Sequence, residues 1–249
     1  MKDYIEQGLS AKQVSELLKV SPRQVHYLAN KEGLHFLHKS KYNLNYKLFT
    51  EQLHTENTYY ILGYLFSDGY INELKGSINI TSKDKQPIIE MVKYIGDIPI
   101  LKTETDCYYI QWYSKEHIQQ LKNIGCTQNK SLTLKFPSLK KELIHHFIRG
   151  YFDGDGSIGF YKHRKMGVLR LSIAGTCDFL EGINHILDKE YSIRKIKNTN
   201  IYLMSLNGNK IVSEFCNIIY KNSTICMKRK YKIFKGFIQY RYLIENNEE

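Results

Sequence analysis

Proline and tryptophan are scarce in this chain of 249 residues, with four prolines and one tryptophan, and no apolar stretch is long. The longest apolar runs, such as Ile61 to Phe66, fall far short of the roughly 20 residues that span a bilayer, so no membrane partner is expected. The start, Met-Lys-Asp-Tyr, is not a charged-then-apolar leader, and the expected location is the cytoplasm. The five cysteines are odd in number and scattered, with no Cys-x-x-Cys pair and no zinc-finger spacing. This excludes a disulfide framework and leaves reduced thiols, mostly in the core. Acidic residues are outnumbered: 36 Lys and Arg face 25 Asp and Glu, a net charge of +11 that points to a polyanion, nucleic acid before membrane. With 42% hydrophobic residues the chain has enough apolar material for one large or two modest domains.

The first 36 residues predict short helices. Apolar residues recur at helical spacing, Val14, Leu17 and Leu18 on one helix and Val25 and Leu28 on the next. Ser10 and Ser21 are placed as N-caps, and Pro22 suits the first helical turn. The break at Lys19 and Val20 is short, the layout of a helix-turn-helix. Its second helix would present Arg23, Gln24, Tyr27 and Lys31 to phosphates or base edges. Residues 37–57 turn polar and read as a linker.

Beyond the linker the sequence repeats. Ile61-Leu-Gly-Tyr-Leu-Phe-Ser-Asp-Gly69 is matched by Ile148-Arg-Gly-Tyr-Phe-Asp-Gly-Asp-Gly156, and the helical and alternating stretches that follow also match. The pattern predicts an α+β fold, a duplicated αββαββα unit over residues 58–140 and 141–249, preceded by the small all-α module. Gly63 with Ser67, and Gly150 with Gly154, put small residues four apart on one helix face, so the two motif helices are expected to pack backbone to backbone. Each ends at an acid, Asp68 or Asp155, followed by a glycine suited to a left-handed helix stop. A carboxylate at a helix C-terminus opposes the macrodipole and needs compensation. Two such carboxylates brought together suit a hard divalent cation, Mg²⁺ with Mn²⁺ able to substitute. On a basic protein that combination points to phosphodiester hydrolysis.

At these residues the sequence resembles the LAGLIDADG homing endonucleases, in the single-chain form with two motif copies. The similarity runs from about Tyr59 to Tyr242 and includes Thr81-Ser-Lys-Asp84, Asn129-Lys-Ser-Leu-Thr-Leu-Lys-Phe-Pro137 and Met227-Lys-Arg-Lys230. The resemblance implies two curved antiparallel sheets forming a saddle over duplex DNA about a central helix pair. It also implies a monomer that cuts both strands with short 3′ overhangs, encoded by a mobile intron or by a free-standing phage or bacterial gene. By the resemblance, Asp68 and Asp155 are the metal-binding acids, the carbonyls of Ser67 and Gly154 add ligands, and Lys130 borders the site, with Lys228 or Lys230 as its counterpart. Phe66 stands where many members carry the motif's first acid, kept here as Asp153, and an asymmetric site is expected from this. Alternation along the strands nominates Asn79, Thr81, Lys83, Tyr109, Gln111, Arg170, Ser172, Lys195 and Lys197 for the DNA face. Two other functions fit the same pattern: a non-cleaving DNA-binding transcription regulator, and a maturase acting on intron RNA.

Overall fold

A computed structural model describes residues 1–7, 9–34, 36, 42–50, 54–163 and 166–247. Helices α1 (Lys2–Glu6), α2 (Ala11–Leu18) and α3 (Pro22–Lys31) come first. The serines cap as their positions predict. The Ser10 hydroxyl accepts the Gln13 N–H while the Gln13 side chain accepts the Ser10 N–H at 2.8 Å, a reciprocal capping box. Ser21 accepts the Gln24 N–H, with Pro22 in the first turn. The helices share a small core of Ala11, Val14, Val25, Ala29 and Phe36. The apolar pattern misled at three places, since Leu17 is 61% exposed and Leu18 and Leu28 lie at the surface, with Ala29 taking the inward position. Helix α1 carries too few apolar residues to be read from periodicity.

Part of the expected linker is structured. Leu44, Leu48 and Phe49 are buried in the main core, and Leu44 bridges to Gly96. Trp112 Nε1–H donates to His117 Nδ1, which leaves His117 Nε2–H to donate to the Asn45 carbonyl at 2.8 Å. Residues 42–50 are therefore tied to the first repeat by polar partners distant in sequence. Residues 37–41 and 51–53 of the expected linker lie outside the described residues.

The first repeat comprises α4 (Glu56–Asp68), β1 (Gly69–Asn72), β2 (Ser77–Ser82), α5 (Lys85–Ile95), β3 (Leu101–Lys102), β4 (Tyr108–Tyr113) and α6 (Lys115–Ile124). The second comprises α7 (Ile144–Asp155), β5 (Gly156–His163), β6 (Met166–Gly175), α8 (Cys177–Leu187), β7 (Ser192–Lys195), β8 (Tyr202–Asn207) and α9 (Asn209–Ile219). The two antiparallel sheets have equivalent orders, β1-β2-β4-β3 and β5-β6-β8-β7. An element without a counterpart in the first repeat follows, α10 (Lys228–Asn247), packed on β5 through Phe237 and Tyr240 against Phe160. Among the described residues no helix is long and apolar enough to cross a membrane. All five cysteines are free, Cys126 and Cys216 buried and the other three half-buried, so fewer thiols reach the core than expected.

Helices α4 and α7 form the centre of the main core, with Tyr60, Tyr64, Phe147 and Phe152 fully buried around their contact. The small residues work as their spacing predicts. A Cβ at Gly63 would lie 2.0 Å from the Phe147 carbonyl oxygen, and a Cβ at Gly150 would lie 2.0 Å from the Tyr60 carbonyl oxygen. Both carbonyls sit three residues before the glycine of their own helix, so the contact is reciprocal about a pseudo-twofold axis. Farther along, a Cβ at Gly154 would strike the Ser67 hydroxyl. Only hydrogen fits at these glycines, and the Cα–H groups approach carbonyl oxygens.

A buried ion network fixes the opposite end of the pair. The Arg149 guanidinium, with no exposed surface, donates to Glu56 at 2.7 Å, to the carbonyls of Ile219 and Ile225 at 2.8 Å, and to His146 Nδ1 at 2.7 Å. Glu56 also accepts the Thr224 hydroxyl at 2.9 Å. Burial, then the charges of Arg149 and His145, push the His146 imidazole down to about 4, so it stays neutral and accepts from Arg149. Glu56 lies 4.0 Å from His146, but its ion pair is with Arg149.

Two predictions follow from this packing. Gly63→Ala and Gly150→Ala will each destabilise the protein by about 1–3 kcal/mol or more, because the added methyl meets backbone that cannot rotate away; urea unfolding measures this. His146 binds its proton less readily folded than unfolded, where imidazole titrates near ~6.5, so stability is full above that pH and falls as pH drops toward 4. The urea midpoint of the parent will drop more between pH 7 and pH 4.5 than that of His146→Gln; equal drops would show that His146 does not drive the effect.

Candidate nucleic-acid interface and metal centre

Helices α4 and α7 end at Asp68 and Asp155, and the first strand of each sheet starts at the next residue. The backbone contact of the helices therefore brings both ends, and both sheets, to one place. Gly69 and Gly156 stop the helices in extended conformations, φ −73° and −95°, and not in the expected left-handed turn. Glycine is required there for space: a Cβ would meet the Leu65 carbonyl oxygen at 2.5 Å in the first copy and the Phe152 carbonyl oxygen at 2.4 Å in the second.

The Asp68 carboxylate lies against the backbone of Gly154, where a Cβ would stand 3.2 Å from its Oδ2. Both carboxylates keep an exposed edge. Burial of the inner side, and then the charge of Asp68, push the Asp155 carboxyl up to about 6, against the pull of Lys130, Tyr151 and Lys230. Asp68 is raised by burial, opposed by Lys230 and Lys130. The Tyr151 hydroxyl beside Asp155 donates to the Ala174 carbonyl at 3.0 Å.

A cation supplied by the chain meets each helix end. Lys130, buried, donates to the Gly69 carbonyl. Lys230, also buried, donates to the carbonyls of Phe152 at 2.6 Å, Asp153 at 2.8 Å and Gly156. Gly69 and Gly156 are equivalent, so the two lysines are pseudo-symmetric although one comes from the loop after α6 and the other from the first turn of α10. Each ammonium faces the negative end of a helix dipole, the compensation that a C-terminal carboxylate needs. Burial lowers both, Lys230 to about 8, with Asp153 opposing the shift most strongly. Of the two lysines proposed as the second-half counterpart, Lys230 holds the position; Lys228 is exposed at the start of α10, its N–H on Gln86.

Asp153 lies in the core, 1% exposed. Its Oδ2 accepts the Tyr60 hydroxyl at 2.8 Å and the Met227 N–H at 2.6 Å, just ahead of α10. Phe66, its equivalent, packs edge-on against Phe147. The difference between the motif copies lies in the core, where Asp153 holds the segment ahead of α10, and it reaches the site through Lys230.

The donor set around Asp68 and Asp155 consists of oxygens: two carboxylates, with the carbonyls of Ser67 and Gly154 in the same final turns. Among the described residues no group of three or more His, Cys, Asp or Glu side chains gathers as a metal cluster. Two crowded carboxylates with raised proton affinity and no nitrogen or sulfur partner fit a hard divalent cation better than zinc.

Register places the strand residues. On the first sheet Tyr70, Asn79 and Gln111 form one cross-strand row, and Thr81, Tyr109 and Leu101 another, on the face away from Ile78, Ile80, Ile110 and Trp112. Lys83 is exposed in the loop after β2. On the second sheet Ser157, Ser172, Ser205 and Ser192 make an unbroken serine row, with Arg170 beside Gly159 and Asn207 in the next. The Arg170 guanidinium stacks over Tyr161 at 5.2 Å. Arg194, opposite Leu203, shares this face, a position missed in the sequence because β7 is short. Lys195 pairs with Tyr202 on the opposite, Met204 side, and Lys197 lies in the turn beyond β7, so neither joins the row. In the N-terminal module Arg23, Gln24, Tyr27 and Lys31 are all exposed.

No family model matches the chain. It is 24% identical over 180 residues to a probable translation initiation factor IF-2 of Methanocaldococcus jannaschii, a match covering 64% of this chain and 14% of that much longer protein. Among solved structures it is similar to the LAGLIDADG meganuclease I-AabMI bound to uncleaved DNA, at a TM-score of 0.54 and 11% identity over 76% of this chain and 91% of that one. It is also similar to the I-LtrWI LAGLIDADG homing endonuclease bound to target DNA, at 0.52 and 12% over 80% and 92%. Meganuclease I-SmaMI, bound to uncleaved DNA in the presence of calcium ions, gives 0.53 and 11% over 79% and 93%. Two equivalent four-stranded sheets carried on a central pair of glycine-packed helices, over most of both chains, give this protein the fold of the LAGLIDADG homing endonucleases.

Proposed function

We propose that the protein is a site-specific endonuclease of double-stranded DNA that works as a monomer and hydrolyses one phosphodiester on each strand. The observation that carries this reading is the meeting of Asp68 and Asp155 at two helix ends related by a pseudo-twofold axis. A duplex has antiparallel strands with the same kind of symmetry, so one acid and one lysine from each half serve each strand equivalently. Asp68, Asp155 and the Ser67 and Gly154 carbonyls would hold Mg²⁺, which would supply an activated water and charge neutralisation at the phosphate. Lys130 and Lys230 hold the turns after the helices through the Gly69 and Gly156 carbonyls. Their positive charge also keeps the acids closer to ionisation. The two polar sheet faces are suited to base edges in the major groove, with Asn79 and Gln111 able to pair with adenine and Arg170 and Arg194 with guanine or phosphate. The net charge of +11 supports a DNA partner.

Incubation with a randomised duplex library and Mg²⁺, followed by sequencing of new ends, will give discrete ends that EDTA abolishes. Asp68→Asn and Asp155→Asn will each slow cleavage by at least about a hundredfold, as expected where a metal contributes several kcal/mol to the transition state. Undiminished cleavage by either variant would refute the assignment, and recovery of one bound sequence without new ends would leave a non-cleaving DNA binder. In metal-free protein Asp68→Asn will move the Asp155 titration below about 6 but not to the ordinary carboxylate value, since burial remains. Carbon-13 NMR of the carboxyl groups reads this shift, and an unchanged Asp155 would show that the two acids do not interact.

A further inference from the structure

Helix α3 carries a surface that the saddle does not use. At about 100° per residue, Val25 and Ala29 point to one side, and Tyr27 falls almost opposite. Arg23, Gln24, Asn30 and Lys31 flank Tyr27 within a ~120° arc, all exposed, Tyr27 by 66%. Its inward side is fixed by Val14, Val25, Ala29 and Phe36, with His26 edge-on to Phe36 at 5.5 Å. The link from α2 is only Lys19, Val20 and Ser21, with Lys19 in the left-handed region at φ 54°, and Ser21 restarts the helix at once. Pro22 to Lys31 contains no acid, and Lys19, Arg23 and Lys31 add positive charge at both ends.

The geometry points to a second DNA-binding site, in which α3 enters the major groove of the same duplex outside the segment held by the two sheets. Arg23 and Lys31 are placed for phosphates on either side of the groove, and Gln24 and Tyr27 for base edges between them. Charge complementarity selects the occupant: a cationic helix face without acids matches the phosphate walls of a groove wide enough to admit a helix. The site does not depend on whether the saddle cleaves.

The test uses the full chain and a duplex recovered by binding selection from randomised DNA in EDTA, analysed by hydroxyl-radical footprinting. The expected result is two protected blocks. Arg23→Ala/Lys31→Ala will lose the outer block and retain the central one, and the slope of log affinity against log salt will become shallower by about 2, close to 0.9 for each lost phosphate contact. Val25→Asp, which puts a charge into the module's small core, will lose the same block. Gln24→Ala will keep the outer block but relax its selected sequence. The inference is overturned if the footprint and salt slope of the double variant match the parent, whatever Val25→Asp does, or if no duplex is selected. A single block that vanishes in the double variant would overturn the saddle reading and leave this one standing.

Discussion

The structure depends on the approach of two backbones. Gly63 faces the Phe147 carbonyl and Gly150 faces the Tyr60 carbonyl, at distances that exclude any side chain. This reciprocal contact sets the separation and the pseudo-twofold relation of α4 and α7. Because β1 and β5 start at the residue after each helix, it also sets where the two sheets begin. A shift of the helix pair would move the acids, the lysines and both strand rows together.

The contact has an electrostatic consequence that the rest of the chain must balance. Two helix C-termini, each with a carboxylate, concentrate negative charge at one place. Two buried lysines answer it, reaching the carbonyls of Gly69 and Gly156 from unrelated elements. In the proposed function the exposed side of the acids would meet a cation and the charge of a bound phosphate. At the far end Arg149 and Glu56 form a buried network with His146 and the chain before α10. One end of the helix pair thus has its buried charges paired by protein groups, and the other does not.

Duplication is kept where it matters for the site and relaxed elsewhere. The glycines, acids and lysines are symmetric, whereas Phe66 and Asp153 differ: in the second copy Asp153 and the helix-end carbonyls hold Met227 and Lys230, while Lys228 and Arg229 of the same segment reach Gln86 and Asp84 of the first repeat. The sheet faces differ too: long Tyr, Asn and Gln side chains on one, a serine row bordered by arginines on the other. A duplex lying across both would meet different chemistry in its two halves.

Much of this was legible in the residues. The repeat, the small-xxx-small spacing, the strand alternation and the serine caps are local patterns, and each produced the element it implies, because periodicity of 3.6 or 2 is set by backbone geometry alone. Asp68, Asp155 and Lys130 could be picked out because their neighbours repeat or stand in a motif. What the sequence left open were contacts between distant segments. Lys230 rather than Lys228 reaches α7 because α10 presents one face to it, and a run of Lys-Arg-Lys has no local preference among its cations. Asp153 stood out as the motif acid kept in one copy alone, but its neighbours in the sequence do not show that the helix turns its side chain into the core, onto Tyr60 and Met227. Residues 42–50 looked like linker because their partners, His117 and Gly96, lie far along the chain. Lys195 fell on the wrong side of β7, since the phase of a short strand is fixed by pairing with β8 and not by its own composition. The sequence by itself determined the elements, their duplication and the pair of acids; the tertiary structure decided which cations reach them and which polar groups are buried, because those depend on which distant surfaces meet.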